Sequence, residues 1–301
     1  MVISLLIRTK NEAKAINKTL ELIKTQRGVS NLEIIVVDSG STDDTISIIR
    51  HHRDREVKLI EIKPEDFTFG RALNIGFKVS QGEVVVPLSA HAFLCNEHWL
   101  ENLTKHFMDP QVAGVYGRQL PHPEAWPPVK RDYLQCYSNH PRVQKNPNDI
   151  RDHFFSNVNA AVRRKCWEEH PFVETLPYCE DWEWARAMLR KGYKIIYEPE
   201  AAVYHSHNES LLEVCSRSYR EALAKKLLYP EIEVTVRKSF KIWYDAVAKD
   251  ISFISQKKED RRWILWTLIY RLFWTYGILH PYMPAAIWRP LLRRLRKLGG
   301  K

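Results

Sequence analysis

This chain of 301 residues is defined first by what it lacks. Its five cysteines (Cys95, Cys136, Cys166, Cys179, Cys215) are odd in number, scattered, and never set as Cys-x-x-Cys. That spacing argues against a disulfide framework and a zinc ribbon, and for a reducing compartment. No internal repeat and no low-complexity tract occurs, so a solenoid or a disordered array is not expected. The stretch from Trp263 to Trp288 is apolar and aromatic, but Arg271, His280, Pro281 and Pro284 interrupt it. No run reaches the roughly 18 uncharged apolar residues that a spanning helix needs. The first residues run straight into a strand-like 2–7 with no basic leader, so no secretion signal is expected.

What is present reads as a folded α/β chain. Hydrophobic residues make up 45% and charged residues 27%, an ordinary globular balance. The length suits one large domain with an appendage. The net charge of +10 is uneven: residues 257–301 hold eleven Lys and Arg against Glu259 and Asp260, leaving about +1 for the rest. A neutral body with a basic tail points to a surface-docking segment, not to nucleic acid. Trp, Tyr and Arg at this density after residue 260 suit a helix lying on anionic lipid; the alternative is a core helix with a soluble tail.

Strand-like runs at 2–7, 33–37, 57–62, 84–88 and 112–116 alternate with helical patterns near 12–26, 43–52, 70–80 and 97–107. This alternation predicts a mostly parallel sheet covered by helices. Residues 119–150 read as a long irregular connection, 154–162 as a strand, and 193–197 and 202–205 as two short strands. Long helical patterns follow at 211–229 and 232–253, and a last one carries Leu291, Leu292, Leu295 and Leu298 on one face. The expected division is a catalytic domain over 1–210 and a helical region over 211–301.

Ligands bind open parallel sheets at the carboxyl ends of strands, where Thr9, Asp38 and Ser89 to His91 fall. Asp38 is followed by Ser39-Gly40-Ser41-Thr42-Asp43, a turn into a helix. Its carboxylate is suited to accept from a base N–H or a ribose hydroxyl, while the same segment also reads as a helix cap. Arg71, at a helix start, suits a diphosphate; the alternative is a solvated arginine. Glu180 and Asp181 open another helix after a Pro-containing loop, where acids also favour the helix dipole.

Together, Ile7-Arg8-Thr9-Lys10-Asn11-Glu12, Val36 to Thr45 and Tyr178-Cys179-Glu180-Asp181-Trp182 resemble the family 2 glycosyltransferases over roughly residues 1–210. Gly70, Asn74 and Gly76 match a further pattern of that family. The resemblance implies a nucleotide-sugar-binding fold of the GT-A type and inverting sugar transfer. It implies that Asp38 contacts the base, that Thr9, Glu12, Arg71 and Ser89 line the nucleotide pocket, and that Asp181 is the base with Glu180 orienting the acceptor or loop. The chain departs from the family where Asp-x-Asp is usual, carrying Ser89-Ala90-His91 instead. His91 with His205 or His207, read as sharing one strand face, would hold a divalent ion, and imidazole favours Mn²⁺ over Mg²⁺. A rhamnosyltransferase-like subgroup is similar around Leu88 to Ala92, which suggests dTDP-rhamnose as donor. The acceptor would be a glycan or a lipid-linked one in cell-surface polysaccharide synthesis, with the protein cytoplasmic and peripheral on the inner membrane face. Two rivals are a sugar nucleotidyltransferase, which would need a Gly-rich loop where Arg8 to Glu12 stand, and a non-catalytic sugar-nucleotide- or membrane-binding protein.

Overall fold

The computed structural model describes residues 2–28, 32–52 and 57–284. They divide into two compact units, one of residues 1–125 and 132–206 and the other of residues 126–131 and 207 onward. In the first unit β1 (Ile3–Thr9), α1 (Ile16–Lys24), β2 (Leu32–Asp38), α2 (Thr45–His51), β3 (Val57–Glu61), α3 (Phe69–Val79) and β4 (Val84–Ser89) follow in strict alternation. β5 (Phe93–Leu94), α4 (Trp99–Thr104) and β6 (Val112–Leu120) come next. After α5 (Pro127–Cys136), within which the chain passes from the second unit back to the first, come β7 (Arg142–Gln144), β8 (Ala160–Arg163), α6 (Arg164–Glu169), α7 (Glu180–Arg190) and β9 (Lys194–Tyr204).

The nine strands form one sheet in the order β3-β2-β1-β4-β8-β6-β9-β5, with β7 also on β9. β1 to β4 are parallel, as are β6 and β9, while β8 runs antiparallel between β4 and β6. The helical crossovers cover both faces, which is why Leu5-Leu6-Ile7 of β1 and Val84 to Leu88 of β4 are consecutive apolar residues. Alternation sends Ile3, Leu5 and Ile7 to one core, with Ile16, Leu20 and Trp99 of α1 and α4. Leu6 goes to the other, with Leu73 and Phe77 of α3 and Trp184 and Met188 of α7. Trp99 and Trp184 are wholly buried on the opposite faces. Truncating either to Ala would cost about 3–5 kcal/mol.

Three expectations change. The 119–150 stretch is not irregular: it holds α5 and β7, and the Pro127-Pro128 pair that suggested a loop begins a helix, where a missing N–H costs nothing. The strand read over 154–162 is confined to Ala160–Arg163. The two short strands near residue 200 are one strand, β9, whose register against β6 shifts between Gly117 and Gln119, opposite the segment holding Pro199.

In the second unit, α8 (Leu211–Leu228) opens with a reciprocal Ser210–Glu213 capping box. α9 (Val236–Gln256) and α10 (Arg262–Leu279) complete the unit's long helices among the described residues. Arg271 is not a solvated interruption of an apolar run. It is wholly buried, with Nε 2.7 Å and Nη2 3.1 Å from the Asp250 carboxylate and a third bond to the Pro128 carbonyl. Arg131 Nε joins Asp250 at 2.7 Å. The last helical pattern, Leu291 to Leu298, lies outside the described residues. No described helix is long and apolar enough to cross a membrane.

Candidate active site

Thr9 and Asp38 are register partners at the ends of β1 and β2, and Ser89 ends β4 beside Arg8. Thr9 Oγ1 donates to Asp38 Oδ2 at 2.8 Å, and Ser41 Oγ donates to the same oxygen at 2.5 Å. The amides of Gly40 and Ser41 donate to Asp38 Oδ1 at 3.0 and 2.8 Å. Asp38 is 0% exposed, so its carboxylate is fully committed to shaping the loop that follows it. Gly40 makes that loop possible, with φ of +81° and Pro64 where a Cβ would stand. The neighbouring loop is fastened to it. Asn11 donates its amide to Ser41 Oγ and accepts from the Thr42 amide, both at 2.8 Å, and the Glu12 amide donates to Thr45 Oγ1 at 2.7 Å. The loops after β1 and β2 are thus tied to each other by their own hydrogen bonds.

Glu180 and Asp181 form the first turn of α7. Cys179, just before them, sits in the left-handed region with φ of 62°, uncommon for a residue with a side chain. Strain of this kind persists where the surroundings over-determine it. Glu180 is buried, and Asn157 Nδ2 donates to it at 3.4 Å. Arg8, from the end of β1, brings Nη1 to 3.9 Å of Glu180 Oε1 and lays its guanidinium over the Phe69 ring. That contact places the acid pair at the same sheet edge as Thr9 and Ser89. Asp181 keeps partial exposure, and accepts from the Trp182 amide at 2.9 Å and the Asn157 amide at 3.3 Å. Desolvation, and then the Glu180 charge, push its carboxyl up to about 8; the two amides and Arg8 pull the other way. A carboxylate held so high is a proton acceptor poised near neutrality.

The third element is an imidazole pair. His91 Nδ1 lies 2.7 Å from Glu12 Oε1, and His91 Nε2 lies 3.1 Å from His205 Nε2, with the rings stacked at 14°. The Glu12 contact at Nδ1 fixes the His91 ring with Nε2 facing His205. His205 is buried just past β9; its amide donates to the Leu120 carbonyl and its Nδ1 meets Tyr133 Oη at 3.4 Å. Two nitrogens about 2.1 Å from one ion and at right angles would be about 3 Å apart, so the observed spacing fits two ligands of one divalent cation.

The sequence matches the family model for glycosyl transferase family 2 over residues 4–170. The chain belongs to that family. It is 33% identical to the O-antigen chain rhamnosyltransferase RfbN of Salmonella typhimurium over 73% of its own length and 71% of the relative's. It is 36% identical to the O-antigen chain rhamnosyltransferase WbaN of Salmonella anatum over 58% of this chain and 57% of that one. Among solved structures it resembles the mannosyltransferase PcManGT of Pyrobaculum calidifontis, in complex with GDP-Man and Mn²⁺, with a TM-score of 0.65 at 19% identity over 92% and 86% of the two chains. The transferase thus has the glycosyltransferase GT-A fold expected of its sequence.

Of the residues singled out in the sequence, Thr9, Glu12, Asp38, Ser89, His91, Glu180, Asp181 and His205 gather at the carboxyl edge of the sheet. Arg71 does not join them by any contact; it is exposed and paired with Asp66 at 3.3 Å. His207 does not continue a strand with His205, because β9 ends at Tyr204 and Ser206 turns its hydroxyl to the His122 amide. His207 opens the second unit and is exposed. Gly70, Asn74 and Gly76 are packing devices. A Cβ at Gly70 would run into the Val173 carbonyl and one at Gly76 into Leu6, and buried Asn74 bonds Phe172 in both directions and the Trp167 indole. Sequence reasoning passed over Arg8 and Asn157, which position the acids. Arg8 carried a signal, a cation at the end of an otherwise apolar strand, whereas Asn157 carried none.

Proposed function

We propose that the transferase moves one sugar, with inversion, from a nucleoside diphosphate to a hydroxyl of a glycan or lipid-linked acceptor. The observation that carries this reading is the placing of the half-buried Asp181 carboxyl beside Glu180 at the ligand-binding edge of the sheet, where desolvation and the Glu180 charge raise its proton affinity. Asp181 takes the proton of the acceptor hydroxyl as that oxygen attacks the anomeric carbon from the face opposite the leaving group. The bond from that carbon to the diphosphate oxygen breaks, its electron pair leaves with the nucleoside diphosphate, and the new bond has inverted configuration. Glu180, beside Arg8, fixes the first turn of α7.

The nucleotide enters the cleft of the 9–12 and 38–42 loops, which Asp38 and Thr9 hold in shape and Glu12 and Ser89 border. Arg71 reaches the diphosphate only by leaving Asp66. The residues present fit a divalent cation: His91 and His205 would hold it, with Glu12 behind His91, and His207 stands two residues along the chain. Such a cation supplies charge neutralisation for the departing diphosphate. Imidazole ligands favour Mn²⁺ over Mg²⁺, and the PcManGT complex contains Mn²⁺. The two O-antigen rhamnosyltransferase relatives support rhamnose as the sugar and a cell-surface polysaccharide as destination, and dTDP-rhamnose is the donor proposed.

The test is nucleotide release from a panel of UDP-, GDP- and dTDP-sugars with bacterial lipid extract as acceptor, in Mn²⁺, Mg²⁺ or EDTA. Release from dTDP-rhamnose that needs Mn²⁺ and disappears in Asp181→Asn is the expected result. Release that survives Asp181→Asn would sink the assignment of the base, and release from another donor alone would replace the sugar.

A further inference from the structure

The second unit holds a cavity of about 360 Å³ that the proposed transfer does not use. Three tryptophans wall it, Trp126 just before α5 and Trp263 and Trp266 on the first turns of α10, and Asp260 and Arg262 complete the lining. Trp263 and Trp266 are three apart and so share one side of the helix. Trp126 meets Trp266 edge to face, with ring centroids 5.2 Å apart at 86°, and meets Trp263 at 5.8 Å and 40°. Its backbone is held as well, the Trp126 amide donating to Asn208 Oδ1 at 2.9 Å. All three tryptophans are half-buried, packed on one side and open on another. Beside them Arg262 grips Asp260: its Nε donates to Oδ2 at 2.7 Å, and its Nη2 lies 2.6 Å from the same oxygen. The Arg262 side chain is nevertheless 91% exposed, so its remaining N–H groups face outward.

We propose that this tryptophan corner binds a neutral sugar ring, one of the saccharides of the acceptor glycan. Its volume lies near the lower end for small-molecule sites, roughly 300–1,000 Å³, which suits a ring or two and not a long chain. Indole rings set at an angle give flat apolar walls, against which the C–H faces of a pyranose lie. The polar side chains then choose among the ligands that fit such walls. A cation drawn to the ring faces meets Arg262, and an anion drawn to Arg262 meets Asp260. The turn 259–262 holds two acids and two bases, and Glu259 is further paired with Lys130 at 3.3 Å, so the corner favours no ion of either sign. An alkyl chain would strip water from the ion pair and give nothing back. A hydroxyl both donates and accepts, so a polyol uses the carboxylate and the guanidinium together. That the ring belongs to the acceptor rests on the transfer proposed above; the binding itself is measured without donor or turnover.

The full chain is titrated with the methyl glycosides of rhamnose, mannose, galactose and glucose, and separately with tetramethylammonium and with hexanol. Indole fluorescence and saturation-transfer NMR read the binding. At least one glycoside is expected to bind saturably, and neither of the other two probes. Trp263→Ala should weaken that binding about tenfold or more, and Arg262→Ala about three- to tenfold. Arg262→Ala keeps the test sharp if Trp263→Ala loses stability, because so exposed a side chain should leave the melting temperature near the wild-type value. With lipid extract as acceptor, both variants should also need more extract for half-maximal nucleotide release, by similar factors. Three results would overturn the binding: no glycoside binds; tetramethylammonium or hexanol binds instead; or both variants hold the glycoside as the wild type does, which would place it elsewhere. An unchanged demand for extract would remove the acceptor from the corner. Absence of release from every donor would count against the transfer alone, and the glycoside titration would still decide the binding.

Discussion

His91 Nε2 and His205 Nε2 stand 3.1 Å apart although their residues are 114 positions apart in sequence. Two neutral imidazoles meeting nitrogen to nitrogen can share only one proton, whereas a shared cation satisfies both lone pairs. His205→Ala should therefore lower Mn²⁺ affinity about 100-fold or more. Glu12→Gln, which keeps the shape but weakens the hold on His91, should lower it about tenfold. Titration of Mn²⁺ by electron paramagnetic resonance reads both. Unchanged affinity in His205→Ala would remove the pair from the metal assignment.

Asp181→Asn separates chemistry from binding. Loss of the base should cut turnover about 100- to 10,000-fold, the usual range for a positioned proton acceptor, with donor affinity within about twofold. The same change should raise the melting temperature near neutral pH. Because the folded carboxyl is raised to about 8 from 3.8, the folded state holds a proton that the unfolded state gives up between those values. Stability from this group is thus fully present at low pH and lost as pH rises through that window. Asparagine does not ionise, so the gain over wild type should grow from pH 4 to pH 8. A gain that is flat across pH would mean the Asp181 proton is not linked to folding.

The same elevation predicts the pH–rate profile. The acid limb of kcat/KM should fall well above the ordinary carboxylate range, close to pH 8, and activity should disappear below it as Asp181 protonates. Arg8 opposes that elevation. Removing its charge in Arg8→Gln should move the acid limb to still higher pH, and Arg8→Lys should bring most of it back. A purely structural role for Arg8 would lower activity without moving the limb.

The strand ends were legible in the sequence because the apolar stretches Leu5 to Ile7, Ile34 to Val37 and Val84 to Leu88 give way to polar residues at or near Thr9, Asp38 and Ser89. Glu180 and Asp181 were legible because two acids follow a Pro-containing loop at a helix start. Other features were hidden for identifiable reasons. Pro199 splits β9 into two apparent strands, and Pro127-Pro128 disguises the start of α5. Arg271 read only as an interruption of an apolar stretch because its partner Asp250 lies 21 residues away on another helix. The commitment of Asp38 to its own loop needed coordinates, since a buried carboxylate with four internal donors and one open to a base have the same sequence.

Gly70 links the start of α3 to the base it never touches. A Cβ at this position would lie 2.6 Å from the Val173 carbonyl oxygen and 3.0 Å from its carbon, and neither is a flexible side-chain end that can swing away. One turn on, Asn74 pins the same segment through Phe172 and Glu174, so the loop cannot retreat freely. That loop runs on to the left-handed Cys179 and then to Glu180 and Asp181. Gly70→Ala should therefore destabilise the fold by about 1–3 kcal/mol, the usual cost of overpacking. It should also lower turnover about 10- to 100-fold by displacing the acids, while leaving affinity for the donor nucleotide, which the proposed function assigns to the loops after β1 and β2, near the wild-type value. Turnover equal to wild type in a variant with a lowered melting temperature would show that the 171–179 loop does not set the position of Asp181.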